Sequence, residues 1–136
     1  MQISVSKQMG RVEVTVLGLN GQLDGQSYQE LISQARELYS AGARDFLLDL
    51  GDLTYISSAG LVAMHTVALL LRGEALPDSE DGWASMKSAK KSTEGNLEAH
   101  LKLLNPRTEV RSVLEMVGFD RAFQIYSNLE EALNSF

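Results

Sequence analysis

Residues 46–71 read FLLDLGDLTYISSAGLVAMHTVALLL. The first five form an apolar run interrupted by Asp49, as expected of a central strand covered on at least one face. A polar turn at Gly51 and Asp52 follows, and residues 61–71 are apolar almost all round and contain no proline. That length is too short to span a membrane and predicts a buried core helix. A buried strand followed by a buried helix is typical of an α/β protein.

The residues before this stretch predict a hairpin and a first helix. Apolar residues recur at every second position around a turn at residues 9–11, namely Ile3, Val5, Val12, Val14 and Val16. Residues 18–25 are rich in turn formers, and Ser27 with Glu30 then suggests a capping box. Gly42 is placed to end the helix. Its predicted apolar face consists of Tyr28, Leu31, Ile32, Ala35, Leu38 and Tyr39.

The residues after position 100 predict a short strand and two more helices. The strand is placed at residues 101–104, with Asn105 as N-cap and Pro106 as the first residue of the next helix. Gly118 ends that helix, and a short apolar stretch follows at residues 122–126. A last helix starts at Ser127 or Asn128. The inward-facing positions are Val110, Val113, Leu114 and Val117 in the first helix and Leu129, Ala132 and Leu133 in the last.

Residues 73–100 interrupt this pattern with a stretch rich in Ser, Gly, Ala and charge. Its first half is acidic and its second half is basic. Such a composition predicts a flexible inserted loop before the last parallel strand. A partner-binding or regulatory arm is the alternative, because the stretch contains Trp83, the one tryptophan of the chain.

The composition limits the classes of function. At 136 residues the chain fits one domain, 1–136. A net charge of -6 makes nucleic acid a poor partner. The absence of cysteine removes disulfides and thiolate metal sites. The first residues alternate polar and apolar and lack the apolar core of a signal peptide, so we expect a cytoplasmic protein without direct membrane contact.

Three segments together resemble the STAS domain, which bacterial anti-sigma factor antagonists share with stressosome subunits and the tails of sulfate-type anion transporters. Residues 19–24, LNGQLD, are similar to the turn before the family's first helix. Residues 47–61 resemble its signature loop and helix start. Residues 101–123 are similar to its final strand, the following helix and the segment after it. The resemblance covers nearly all the chain except residues 73–100.

The resemblance implies a fold and a function. The expected fold is a single STAS-like α/β domain with a mixed β-sheet of four to five strands and about four helices. The implied function is that of an anti-sigma factor antagonist, which is not an enzyme and needs no cofactor or metal. The implied partners are an anti-sigma factor serine kinase and, transiently, a metal-dependent serine phosphatase. The oligomeric state is left open.

The resemblance also implies the residues of the switch. In the family, the loop reads Asp-Ser-Ser/Thr-Gly-Leu and its first serine is phosphorylated, which corresponds to Ser58. Ser57 stands where the family has aspartate, and Ala59 stands where it has Ser/Thr. The modified residue is therefore Ser58 by first choice and Ser57 by second choice, and a third alternative is that neither serine is phosphorylated. Serine is also a preferred N-cap residue, so the alternative interpretation is that Ser58 only caps the helix. The predicted partner-binding surface consists of Asp24, Gly25, Tyr55, Ser57, Ser58, Ala59 and Gly60.

The sequence leaves two other classes of function to consider. An enzyme with Ser58 as nucleophile and His65 as base is disfavoured, because seven helical residues separate them by about 10 Å, whereas a base must lie within about 3 Å. His65 is instead expected on the less buried edge of the second helix, and His100 in a loop. The second is a STAS subunit of a lipid or anion transport complex, or a signalling scaffold, that works without phosphorylation.

Overall fold

The structure, a computed structural model, describes residues 1–73 and 97–136. The predicted insertion at residues 73–100, including Trp83, therefore lies almost entirely outside the described residues. The described part contains a five-stranded sheet in the order β1-β2-β3-β4-β5, in which β1 is antiparallel to β2 and the other pairs are parallel. The strands are β1 Gln2–Met9, β2 Glu13–Leu23, β3 Phe46–Ile56, β4 Leu101–Leu104 and β5 Ile125–Tyr126.

Five helices accompany the sheet in the described part of the chain, one more than expected. They are α1 Tyr28–Ser40, α2 Ser58–Leu71, α3 Thr108–Met116, α4 Phe119–Ala122 and α5 Leu129–Leu133. The additional helix is the single turn α4, which follows Gly118. The mixed α/β fold is thus confirmed, with β4 followed by a further parallel strand, β5, where the sequence indicated only an apolar stretch.

The two faces of the sheet are covered by hydrophobic clusters of different size. Leu48 and Leu50 point into the larger cluster, which is covered by α1, α2 and α3. Leu47 points to the opposite face and packs beneath α5 in a smaller cluster with Val14, Val16, Leu104, Ala132 and Leu133. The continuous apolar run at the start of β3 follows from this arrangement, because both faces of the strand are covered there.

Strands β2 and β3 are longer than the sequence indicated. Residues 18–25 are rich in turn formers, but the strand β2 continues through them to Leu23. The turn predicted at Gly51 and Asp52 is wrong, because both residues lie inside β3. The two strands pair from Thr15 with Phe46 to Leu23 with Ile56, with register shifts between Gly18 and Asn20 and between Gly21 and Gln22. Turn-forming residues remain extended here because a parallel neighbour satisfies their backbone groups, which no local pattern reveals.

Several predictions about the helices, mostly about their termini, were wrong. Ser27 does precede α1, but its side chain makes no cap hydrogen bond, so the capping box with Glu30 does not form. Helix α3 begins at Thr108 after Arg107, rather than at Pro106 after Asn105. In α5, Ala132 and Leu133 are buried as expected, whereas Leu129 is 40% exposed. These differences are consistent with helix boundaries being set by neighbouring elements as well as by local signals.

Lys102 is a buried cation beneath the C-terminal residues. It is 4% exposed, and its Nζ donates to Ser135 O at 2.7 Å and to Ser135 Oγ at 3.0 Å. The same ammonium group lies 4.8 Å from the centre of the Phe136 ring. Burial lowers the pKa of Lys102 below 10.5, and the negative charge of Asp45 partly opposes this effect. Lys102 therefore holds the C-terminal residues against the sheet at the cost of a desolvated charge.

This burial predicts a pH dependence of stability. Between the lowered pKa and 10.5 the unfolded chain binds more protons at Lys102 than the folded chain does, so the contribution of this group to the free energy of unfolding rises with pH across that window. Urea titrations at several pH values measure the free energy of unfolding of wild type and of Lys102→Met. As the pH approaches 10.5, the free energy of unfolding of wild type should rise relative to that of the variant. A difference that stays constant with pH would contradict this interpretation.

Candidate functional site

The C-terminal ends of β2 and β3 meet at one edge of the sheet. Leu23 and Ile56 are paired in the parallel register, and the backbone N–H of Ser57 donates to Leu23 O at 2.9 Å. The turn that follows β2 and the loop that follows β3 therefore lie side by side. This edge, at the carboxyl ends of parallel strands, is where open α/β sheets commonly bind their ligands.

The loop after β3 leads directly into α2, and its two serines have different environments. Ser57 is the N-cap, and its Oγ accepts from the Gly60 N–H at 3.4 Å. Ser58 is the first residue of the helix and is exposed. Its hydroxyl makes no hydrogen bond within residues 1–73 and 97–136. The interpretation of Ser58 as the cap is therefore wrong, because the capping role belongs to Ser57.

Gly60 allows the start of α2 to lie against the end of β2. It is buried, and a Cβ atom at this position would lie 2.6 Å from Leu23 O and 2.7 Å from Ile56 Cγ1. Real Cβ atoms do not approach other atoms this closely. The absence of a side chain at Gly60 thus sets where the first turn of α2, and with it Ser58, is placed relative to β2.

Asp24 organises the turn beside this loop. Its Oδ1 accepts from Gln26 N at 3.0 Å and from Ser27 N at 3.3 Å. The Ser27 hydroxyl lies 2.7 Å from Gln22 O, to which it donates, and 3.0 Å from Asp24 N, from which it accepts. Asp24 is therefore engaged within its own turn, while Gly25 at the turn's tip is exposed.

Tyr55 provides the large exposed side chain of this edge. It is 51% exposed and stands opposite Gln22 in the sheet register. The neighbouring Thr54 donates from Oγ1 to Gly21 O at 2.9 Å, which ties the last residues of β3 to β2. Gln22 and Thr54 were not singled out from the sequence, although their outward positions beside Tyr55 were a signal that could have found them.

All seven residues of the predicted partner-binding surface are thus brought to one edge. We call the accessible ones, together with their outward neighbours, the β2–β3 edge surface, consisting of Gln22, Asp24, Gly25, Thr54, Tyr55, Ser57, Ser58 and Ala59. Gly60 belongs to the structural support beneath it, since it is buried. Asp24 is the single charged residue in this set. The surface therefore consists mainly of uncharged polar groups around one exposed aromatic ring.

The histidines do not form part of this surface. His65 was expected on the less buried edge of α2, but it is only 5% exposed, so that expectation is wrong. The reason is that α2 is covered on most of its circumference by the sheet and by α1. His100 lies in a bend before β4, with Nδ1 2.8 Å from Asp45 Oδ1.

Other acidic residues lie elsewhere on the sheet. Asp49 and Asp52 both lie within β3, where Asp49 Oδ1 accepts from Gly51 N at 3.0 Å. Among residues 1–73 and 97–136, no three His, Cys, Asp or Glu side chains are grouped so that they could hold a metal ion. None of the helices in this part of the chain is both long and apolar enough to cross a membrane.

Comparison with solved structures identifies the fold. A putative anti-sigma factor antagonist from Thermotoga maritima matches with a TM-score of 0.66 at 18% identity, covering 95% of this chain and 91% of its own. The unphosphorylated form of the anti-sigma factor antagonist SpoIIAA matches with a TM-score of 0.58 at 18% identity, covering 96% and 94%. The phosphorylated form of SpoIIAA, a Bacillus cell fate determinant, matches with a TM-score of 0.50 at 17% identity, covering 96% and 97%.

Each match covers nearly the full length of this chain and of the solved structure. No protein-family model and no curated protein sequence matches the chain. The chain therefore has the fold of these anti-sigma factor antagonists at 17–18% sequence identity.

Proposed function

We propose that this chain is an anti-sigma factor antagonist. Its β2–β3 edge surface binds an anti-sigma factor serine kinase while Ser58 is unphosphorylated, and this binding frees a sigma factor in the cytoplasm. The kinase phosphorylates Ser58 and thereby ends the binding, and a metal-dependent serine phosphatase restores it. The chain itself performs no chemistry. The observation that carries this proposal is the exposed Ser58 hydroxyl, which stands at the start of α2 beside the Asp24 turn.

The environments of the two serines support Ser58 as the modified residue. The hydroxyl of Ser57 already serves the fold, because it accepts from Gly60 N–H at the start of α2. A phosphate on Ser57 would remove that cap or distort it. The Ser58 hydroxyl is exposed and has no such role within the described residues. A kinase can therefore reach Ser58 without unfolding the helix start.

The position of Ser58 also explains how a phosphate would be tolerated by this chain and rejected by its partner. The first N–H groups of α2 and the positive end of its dipole lie beside the residue, so a phosphate is compatible with the fold. The phosphate brings about -1.5 to -2 charges at pH 7 and three acceptor oxygens. An uncharged partner surface shaped to fit Tyr55 and a serine hydroxyl would have to desolvate that charge, which favours dissociation.

The solved relatives give this switch a precedent. SpoIIAA has been solved in its unphosphorylated form and in its phosphorylated form. The same fold there accommodates both states. We therefore assign this chain a two-state role of the same kind.

Mass analysis of the protein from its own cells tests the site. We expect one added phosphate in wild type and in Ser57→Ala, and none in Ser58→Ala. The two alanine variants form a matched pair, since each removes one hydroxyl from adjacent residues. A phosphate that disappears only in Ser57→Ala would transfer the switch to Ser57. No phosphate under any growth condition would overturn the switch and favour a transport-complex subunit or scaffold.

Calorimetric titration tests the consequence. The kinase that copurifies with the unphosphorylated protein should bind phospho-Ser58 protein at least about tenfold more weakly than unmodified protein, within the usual range of such couplings. Ser58→Ala should bind the kinase as wild type does and should resist release by ATP. Equal affinity of the kinase for both phosphorylation states would show that Ser58 does not control binding.

A further inference from the structure

The outer edge of β1 is long and regular. Within residues 1–73 and 97–136, β2 is the one strand beside it. All eight residues, Gln2–Met9, pair with β2 without a register shift. Backbone groups alternate between the two sides of a strand, so about half of the N–H and C=O groups of β1 point away from β2. Such an edge is a template for pairing with another strand.

The features that usually protect an open edge are scarce in β1. Proteins blunt edges with short strands, prolines, bulges and charged side chains. β1 contains no proline, and its pairing with β2 has no bulge. Its single charged residue is Lys7, whose Nζ lies 3.7 Å from Glu13 Oε1. The strand at the opposite edge of the sheet, β5, has two residues and offers little to a further strand.

Apolar side chains are exposed along the same hairpin. Every residue of β1 except Ile3 is exposed. Val5 is 42% exposed and Met9 72%, while Val12 in the adjoining turn is 40% exposed. These three belong to a group of seven large apolar residues that are exposed in the described part of the chain. Within the part of the chain that the structure describes, the hairpin thus combines backbone groups that no strand pairs with exposed apolar surface.

We propose that β1 pairs antiparallel with β1 of a second copy of this chain, so that two sheets join into one. A twofold axis perpendicular to the sheet at Val5 places Val5 opposite the same residue of the second copy. Ile3 then faces Lys7, and residues 2–8 are paired throughout. Such an axis always pairs odd positions with odd and even with even, so the outward backbone groups of one copy meet those of the other.

The charges of the chain favour a second copy as the occupant. In this register the two Lys7 ammonium groups do not face one another, and each stands opposite an uncharged isoleucine. β1 carries no acidic residue, whereas the whole chain has a net charge of -6. Two such chains repel each other least when they approach through an edge without carboxylates. The contact is isologous and closes at two copies, so it does not propagate.

Sedimentation velocity of the full chain over a concentration series tests this pairing. We expect a reversible dimer, and Val5→Lys should raise its dissociation constant at least about tenfold because like charges would stand directly opposite one another. Met9→Lys is the matched control: Met9 is also an exposed apolar residue of β1 but lies outside the paired positions 2–8. It should leave the dimer unchanged.

Charge complementation tests the register. An equimolar mixture of Val5→Lys and Val5→Glu should form a mixed dimer, while Val5→Glu alone should dissociate as Val5→Lys does. Circular dichroism checks that both variants are folded. A monomeric wild type at all concentrations, or a dimer insensitive to Val5→Lys, would overturn the pairing. Failure of the mixture to associate would overturn the twofold register at Val5.

Discussion

Gly60→Ala should lower the free energy of unfolding by about 2 kcal/mol, the cost typical of an overpacked core. Helix propensity alone predicts that Gly60→Ala raises the free energy of unfolding, because alanine is favoured over glycine inside a helix by about 1 kcal/mol. The added Cβ would lie 2.6 Å from the backbone oxygen of Leu23, which cannot move away as the end of a side chain could. Urea denaturation of both proteins measures the difference.

The same substitution should disturb the candidate site. Relief of the clash requires the first turn of α2 to move away from β2, and this strains the bond from Ser57 N–H to Leu23 O. Gly25→Ala is the matched control, since Gly25 lies in the neighbouring turn and a Cβ there meets nothing within 4 Å. Its effect should stay within about 0.5 kcal/mol. If Gly60→Ala proved stabilising, the close packing of α2 on β2 would be wrong.

Arg72→Ala should lower the free energy of unfolding by about 3 kcal/mol. Arg72 Nε donates to Glu98 Oε2 at 3.1 Å, and its Nη2 pairs with Oε1, which makes the contact bidentate. The Glu98 side chain is only 7% exposed, so its carboxylate would be left buried without this partner. Removal of one partner of a buried ion pair typically costs about 3 to 5 kcal/mol. We expect the low end of that range here because the Arg72 side chain is 29% exposed.

This ion pair has a structural role that the sequence did not indicate. Arg72 directly follows α2, and Glu98 precedes β4 and donates its backbone N–H to Ala122 O at 2.8 Å. The pair therefore connects the residues on either side of the segment 74–96. It holds the residues before β4 beside the end of α2.

Two further variants make this prediction specific. Arg111→Ala removes the same side chain from an exposed pair with Glu115, in which the two side chains are 51% and 54% exposed. It should cost only about 0.5 kcal/mol. Glu98→Gln added to Arg72→Ala should recover part of the lost stability, because the buried charge is then absent. Equal effects of Arg72→Ala and Arg111→Ala would show that burial of Glu98 contributes little.

Much of the fold could be predicted from periodicity. The alternation around residues 9–11 gave the hairpin, and the apolar run from Phe46 gave the central strand. The faces of α1 and α3 were also correct, with Leu31 and Ala35 buried in α1 and Val110 and Leu114 in α3. Periodicity succeeds here because burial of one face imposes a repeat of two or 3.6 residues on the sequence itself.

The candidate site could be located from the sequence but not built from it. The motif around Gly60 placed the site at the start of α2, and the structure adds that this start lies beside the Asp24 turn. Which serine is the cap was beyond local reasoning, because Ser57 and Ser58 are equally suited to that role by type. The bond from Ser57 N–H to Leu23 O orients the loop and leaves Ser58 outward.

The amino-acid sequence alone therefore determined the N-terminal hairpin, the central strand β3 and the helices α1, α2 and α3, and which faces of α1 and α3 are buried. Only the tertiary structure decided that Gly51 and Asp52 stay extended, that His65 is buried and that the Ser27 hydroxyl turns toward Gln22 instead of capping α1. The physical reason is that burial leaves a period in the sequence, whereas a polar group's hydrogen-bond partner is supplied by whichever distant segment the fold brings beside it.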